Sequence, residues 1–151
     1  MRVSKKAQCG TRAMLELALH YGRGVVSLSH IARSQGISLK YLEQIMTPLR
    51  RAGMVEATRG AGGGYKLTRP PQEIRVGELI RALQEPMEPV ECLQDARHCD
   101  RVSRCQARTI WSDLHHIIER ALDGLTLQEI LERAPADDKP GAAPRSLYSK
   151  S

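Results

Sequence analysis

Cys92-x6-Cys99-x5-Cys105 gathers three thiols in one short segment, while the fourth cysteine, Cys9, stands far away. Thiolates on a single loop can converge on one iron–sulfur cluster or one zinc ion. The spacing lacks the C-x2-C pair of a zinc ribbon, which weighs against zinc. The plainer alternative is a set of unliganded or redox-paired thiols. His98 adjoins Cys99, but neighbouring side chains on an extended chain diverge, so the two do not naturally share one ion.

A second chemical feature is Arg59-Gly60-Ala61-Gly62-Gly63-Gly64. Glycine-rich loops can cradle phosphates, yet no Lys-Ser/Thr pair and helix follow, which excludes a Walker-type nucleotide loop. Strand-like segments at Met54–Thr58 and Tyr65–Thr68 flank it, predicting a β-hairpin with Arg59 and Lys66 beside a glycine tip. A third cluster, Asp113, His115, His116 and Glu119, invites an acid–base reading. Asp113 and His115 lie two apart on a predicted helix and face different ways, so an enzyme is not expected.

These groups need elements to position them. Met14, Leu17, Ala18 and Tyr21 follow i, i+3, i+4, i+7 spacing and predict a helix over about Lys6–Tyr21. A short helix then precedes a turn at Gly36, and Ser38 is placed to cap a second helix. In that second helix Leu42, Ile45, Met46 and Leu49 form an apolar stripe, with Lys40, Glu43, Gln44, Thr47 and Arg51 opposite. A helix with a buried face and Lys, Glu, Gln and Thr outward has the form of a major-groove reader. Pro48 should bend it behind Thr47.

A helix is expected from Arg75 to Gln84, and another from Thr109 to Leu122. On the latter, Trp111, Leu114, Ile118 and Leu122 form a stripe assigned to a dimer contact, because a lone helix cannot otherwise bury it. Thr126–Ala134 continues as a short helix, and the remaining composition predicts a disordered tail. The expected architecture is mainly α with a small β-hairpin: a winged helix-turn-helix plus a long dimerisation helix. It divides as 1–84 for DNA binding, 85–108 for the cysteine loop, 109–134 for the dimerisation and C-terminal helices, and 135–151 for the tail.

Charge is unevenly placed. Residues 1–69 hold 12 Lys and Arg against 3 Asp and Glu, a net of +9, whereas residues 70–151 carry −3. A polyanion such as double-stranded DNA is the expected partner of the first part. No apolar run approaches the roughly 18 residues of a membrane helix. No signal sequence is visible either, so a cytoplasmic location and no membrane partner are expected.

Taken together, Gly36-Ile37-Ser38-x-x-Tyr41-Leu42-Glu43-Gln44, Arg59-Gly60-x-Gly62-Gly63-Gly64-Tyr65 and Val76-Gly77-Glu78 resemble the IscR-type family of winged-helix regulators. The three cysteines, then Trp111-Ser112-Asp113-Leu114 and Leu125-Thr126-Leu127, extend the resemblance over about Met1–Ala134. It implies a transcription regulator acting as a homodimer whose long helices cross between subunits. It implies an iron–sulfur cluster on Cys92, Cys99 and Cys105, 2Fe–2S in preference to 4Fe–4S, reporting iron, oxygen, nitric oxide or cluster supply. It also implies base contacts from the helix after Gly36, with Ser38, Lys40, Tyr41, Glu43 and Gln44 at the DNA. Arg59 would enter the minor groove, with Gly60, Gly62 and Gly63 near phosphates. The residue types agree: Gln can pair bidentately with adenine, and Arg suits a narrow, electronegative groove. Arg108 stands where the family's type member has a histidine ligand, which leaves Cys9, His98 or an exogenous molecule as fourth ligand.

Overall fold

The computed structural model describes residues 3–83 and 85–134. The sequence-predicted tail, 135–151, and the last residue of the helix expected to end at Gln84 lie outside the described residues. Three helices open the chain: α1 (Lys5–Leu19), α2 (Leu28–Gln35) and α3 (Leu39–Arg51). Strands β1 (Val55–Thr58) and β2 (Gly64–Leu67) follow, then a 3-10 turn at Pro71–Glu73 and helix α4 (Val76–Ala82). A one-turn helix α5 (Glu91–Gln94), a second 3-10 turn (Ala96–His98), α6 (Ala107–Asp123) and α7 (Leu127–Arg133) complete it.

The helix starts are set by local chemistry. Ser4, Ser27 and Ser38 each turn a hydroxyl back to accept from a backbone N–H in the first turn of α1, α2 and α3. This satisfies donors that have no partner inside the helix. Gly36 ends α2 at φ +62°, and its N–H donates to the carbonyl of Ala32. That left-handed conformation costs glycine little, and it lets α3 begin two residues later.

The apolar stripe of α3 is buried as its spacing predicts. Leu42, Ile45, Met46 and Leu49 are fully covered, packed with Met14 and Leu17 of α1 and Ile31 of α2. Tyr21, placed on the α1 stripe by periodicity, lies past the helix end and is exposed. Pro48 does not end α3: the helix runs to Arg51, and Ala52 donates to the Pro48 carbonyl at 3.0 Å. Proline removes one donor, the N–H that would otherwise reach the carbonyl of Gln44, and the helix continues without it.

β1 and β2 pair antiparallel, with Val55 opposite Leu67 and Glu56 opposite Lys66. The hairpin is also tied to the helices. Val26 and Tyr65 exchange backbone hydrogen bonds of 2.8 Å each way, just before α2 begins. At the far end of the chain, Val76 N–H donates to Leu125 and Leu127 N–H to Ile74. Leu127 is wholly buried in the same core as α1–α3. The C-terminal helix thus packs on the helix-turn-helix rather than trailing from α6.

Candidate functional site

The basic half builds a surface from α3 and the hairpin. Ser38, Lys40, Glu43 and Gln44 are exposed along the outer side of α3, while Tyr41 is half-buried against the core. The Ser38 hydroxyl is engaged as helix cap, accepting from Tyr41 N–H at 3.3 Å. Thr47 is half-buried and its hydroxyl donates to the Glu43 carbonyl at 3.0 Å. Its side chain is therefore occupied within the helix.

Arg59, Gly60 and Gly62 are exposed on the hairpin tip. Gly60 and Gly62 have φ +95° and +75°, and Gly63 N–H donates to the Gly60 carbonyl at 3.0 Å. Gly63 is required by the hairpin itself, because a Cβ there would stand 2.2 Å from the Thr58 carbonyl oxygen. Lys66 is not a free basic flank. Its Nζ lies 3.0 Å from Glu56 Oε1 across the hairpin, so Arg59 is the cation presented at the tip.

The cysteines sit in a segment with more structure than its weak periodicity suggests. Cys92 is on α5, Cys99 follows the 3-10 turn, and Cys105 precedes α6; all three are free and half-buried. Asp95 holds this turn, accepting from Arg97 N–H at 3.0 Å and pairing with the Arg97 guanidinium at 2.7 Å. His98 Nδ1 faces the Asp95 carbonyl at 3.3 Å.

Near Cys105, Arg108 Nε is buried and has no hydrogen-bond partner among the described residues. A buried donor of this kind calls for an acceptor. The sulfurs of Cys92, Cys99 and Cys105 do not all lie within 4.8 Å of one another, so the loop would have to close around a cluster, whose sulfurs could accept from the Arg108 guanidinium. Cys9 differs: it is 5% exposed and belongs to the core that α1–α3 share.

Helix α6 has no buried residue over its 17 positions. The stripe expected along it is unevenly covered. Leu114, Ile118 and Leu122 are half-buried, whereas Ile110 and Ile117 are 63% and 54% exposed and Trp111 is 39% exposed. The base of the helix is fastened by Arg81 to Asp123 at 2.5 Å. His115 pairs with Glu119 at 3.5 Å and faces the Met87 carbonyl, not Asp113.

Sequence reasoning missed one cluster. Glu16 of α1, His20 just past the end of α1 and the His30 ring of α2 converge, their ligand atoms within 4.8 Å of one another. These residues lie 14 apart on two helices, so no motif links them; Glu16 on an otherwise apolar helix face was the available signal.

A family model described as Rrf2, iron-dependent transcriptional regulator, matches residues 3–133. The chain belongs to the Rrf2 family. It is 42% identical over 131 residues to the HTH-type transcriptional regulator IscR of Aliivibrio salmonicida, covering 87% of this chain and 77% of that protein. It is 39% identical over 134 residues to the rrf2 protein of Nitratidesulfovibrio vulgaris, covering 89% of each. Its fold is similar to T. potens IscR, at TM-score 0.73 and 39% identity over 89% of both chains. It is equally similar to CymR, the global cysteine regulator of B. subtilis, at TM-score 0.74 and 36% identity over 89% of this chain and 99% of that one. The protein is therefore an Rrf2-family, IscR-like transcription regulator that binds DNA, and not an enzyme. Among the described residues no helix is long and apolar enough to cross a membrane.

Proposed function

We propose that this Rrf2-family regulator binds operator DNA as a homodimer under the control of an iron–sulfur cluster held by Cys92, Cys99 and Cys105. What supports the cluster is three free, half-buried thiols on one segment, followed by an Arg108 Nε that is buried and unpartnered among the described residues. When bound, the cluster supplies a redox- and ligand-sensitive group whose presence or loss changes the loop before α6. The Arg108 guanidinium would donate to it, while the fourth position falls to His98 or an exogenous molecule.

On the DNA side, Lys40, Glu43 and Gln44 read base edges from α3, with Ser38 and Tyr41 at its start. Arg59 enters the minor groove from the wing, and Gly60, Gly62 and Gly63 keep that tip slim. Dimerisation buries Ile110, Trp111 and Ile117, the apolar side chains that α6 leaves in water. Through α6 the cysteine loop and the dimer contact are continuous in sequence. A change at Cys105 therefore reaches the helix that sets the spacing of the two readers.

A second reading is favoured by the likeness to CymR, whose structures include one of an oxidised Staphylococcus aureus form. In it the same thiols respond by oxidation, without a cluster. Purification without air separates the two. The cluster reading gives brown protein with iron and acid-labile sulfide in equal amounts, lost in Cys99→Ser; colourless, iron-free protein supports the thiol reading.

A further inference from the structure

Glu16 is a carboxylate at 2% exposure on α1, and its two oxygens have different surroundings. Oε2 accepts from the Ser34 hydroxyl and from the Gln35 amide of α2, each at 2.8 Å. Oε1 instead faces two imidazoles, His30 Nε2 at 3.1 Å and His20 Nδ1 at 3.8 Å. The rings stand edge to face with centroids 5.4 Å apart. Burial raises the affinity of Glu16 for a proton, but hydrogen bonds from Ser34, Gln35 and His30 and the charge of His20 outweigh it. The carboxyl is consequently held below its ordinary value, as an anion.

This donor set fits an ion better than a proton alone. Two imidazoles and one carboxylate, with open positions toward solvent, are a recurrent site for divalent transition metals. Metal–ligand bonds of about 2.1 Å in tetrahedral geometry place donor atoms roughly 3.4 Å apart. The 3.1 Å between His30 Nε2 and Glu16 Oε1 is close to that value. Ser34 and Gln35 already orient the carboxylate through its other oxygen, as outer partners of metal-bound carboxylates do. His20 Nδ1 also lies 2.9 Å from the Glu16 carbonyl and carries a proton there. That ring must turn to offer a lone pair, and at 28% exposure it has room to do so. His30, 46% exposed, opens the site to solvent.

We infer that Glu16, His20 and His30 form a divalent transition-metal site, of the Zn2+ or Fe2+ class, that clamps α1 to α2. The site contains no cysteine and is independent of the cluster reading. Its ion would take the place of the Glu16–His30 hydrogen bond, with the His30 ring in the tautomer that frees Nε2, and water would complete its coordination. α2 is the helix that Gly36 joins to α3, so the clamp bears on how the reading helix is held.

The test is a Zn2+ titration of the intact chain, followed by long-range proton–nitrogen spectra of its histidine rings and by equilibrium dialysis. The ring nitrogens of His20 and His30 should shift together, and His30→Ala should bind one equivalent less than the parent. Glu16→Gln should weaken the same site tenfold or more; should it fail to fold, the exposed His30→Ala variant decides alone. Unshifted His20 and His30 rings at excess Zn2+, or equal stoichiometry in the parent and His30→Ala, would overturn the site.

Discussion

Arg59→Ala removes a guanidinium that stands exposed at the wing tip, outside the core and away from the Glu56–Lys66 pair. Folding stability should be nearly unchanged, because surface substitutions of this kind usually stay within about 0.5 kcal/mol. DNA binding should not be so tolerant. A side chain inserted into a groove between phosphates contributes about 1–3 kcal/mol, which is roughly 5–150-fold in Kd. If it also neutralises one phosphate, the slope of log K against log salt becomes shallower by about 0.9. Lys66→Ala is the internal control. Its ammonium is already 3.0 Å from Glu56, so its removal should cost clearly less. Fluorescence anisotropy on a DNA selected from a random pool, at three or more salt concentrations, measures both effects. Equal affinities for the parent and Arg59→Ala across the salt series, with identical thermal unfolding, would refute the assignment of the hairpin as a DNA-contacting wing.

Further outcomes follow from particular residues. Glu43→Ala should broaden the sites recovered by selection more than it lowers affinity, since a carboxylate accepts from cytosine and repels other acceptors; an unchanged consensus sinks that role. Ile117→Glu should give monomers by light scattering, because it puts a charge on the 54% exposed apolar position of α6; an intact dimer would exclude that face as the contact. Leu127→Ala should lower unfolding free energy by about 2–5 kcal/mol, as for a filled core position, and a loss below about 1 kcal/mol by denaturant titration would mean α7 is not part of the core. Glu16, held below its ordinary value in the folded chain, contributes stability that is complete above its unfolded value and lost as pH falls through the folded one. Calorimetry of Glu16→Gln should accordingly show a flatter decline in Tm on acidification than the parent, and parallel curves would contradict this.

What the sequence makes legible here is what repeats locally. The α3 stripe, the Gly36 turn, the Ser38 cap and the hairpin all depend on spacing within a dozen residues, and each is present. That α3 runs past Pro48 to Arg51 was not legible, because what a proline does inside a helix depends on its surroundings in the fold. Which side of α6 the rest of the chain half-covers was not legible for a related reason. Ile110, Trp111, Leu114, Ile117 and Ile118 wrap much of the helix, so periodicity alone could not say which side the α4 and α5 region half-covers. Cys9 and Glu16 show the same limit at a site. A thiol near the chain start looked available and is in the core, while Glu16, His20 and His30 meet only once α2 is laid across α1.

The central claim is that a cluster on Cys92, Cys99 and Cys105 controls DNA binding, and one paired measurement addresses it. Protein purified without air is assayed on a selected operator, stripped of iron by chelation, and assayed again under reducing conditions, beside a variant with Cys92, Cys99 and Cys105 all changed to Ser. The account predicts iron and sulfide in the first sample and none in the variant. It also predicts that stripped protein and variant share one operator affinity, differing at least tenfold from that of the loaded protein. A single affinity for all three, or a loaded sample without sulfide, would contradict it.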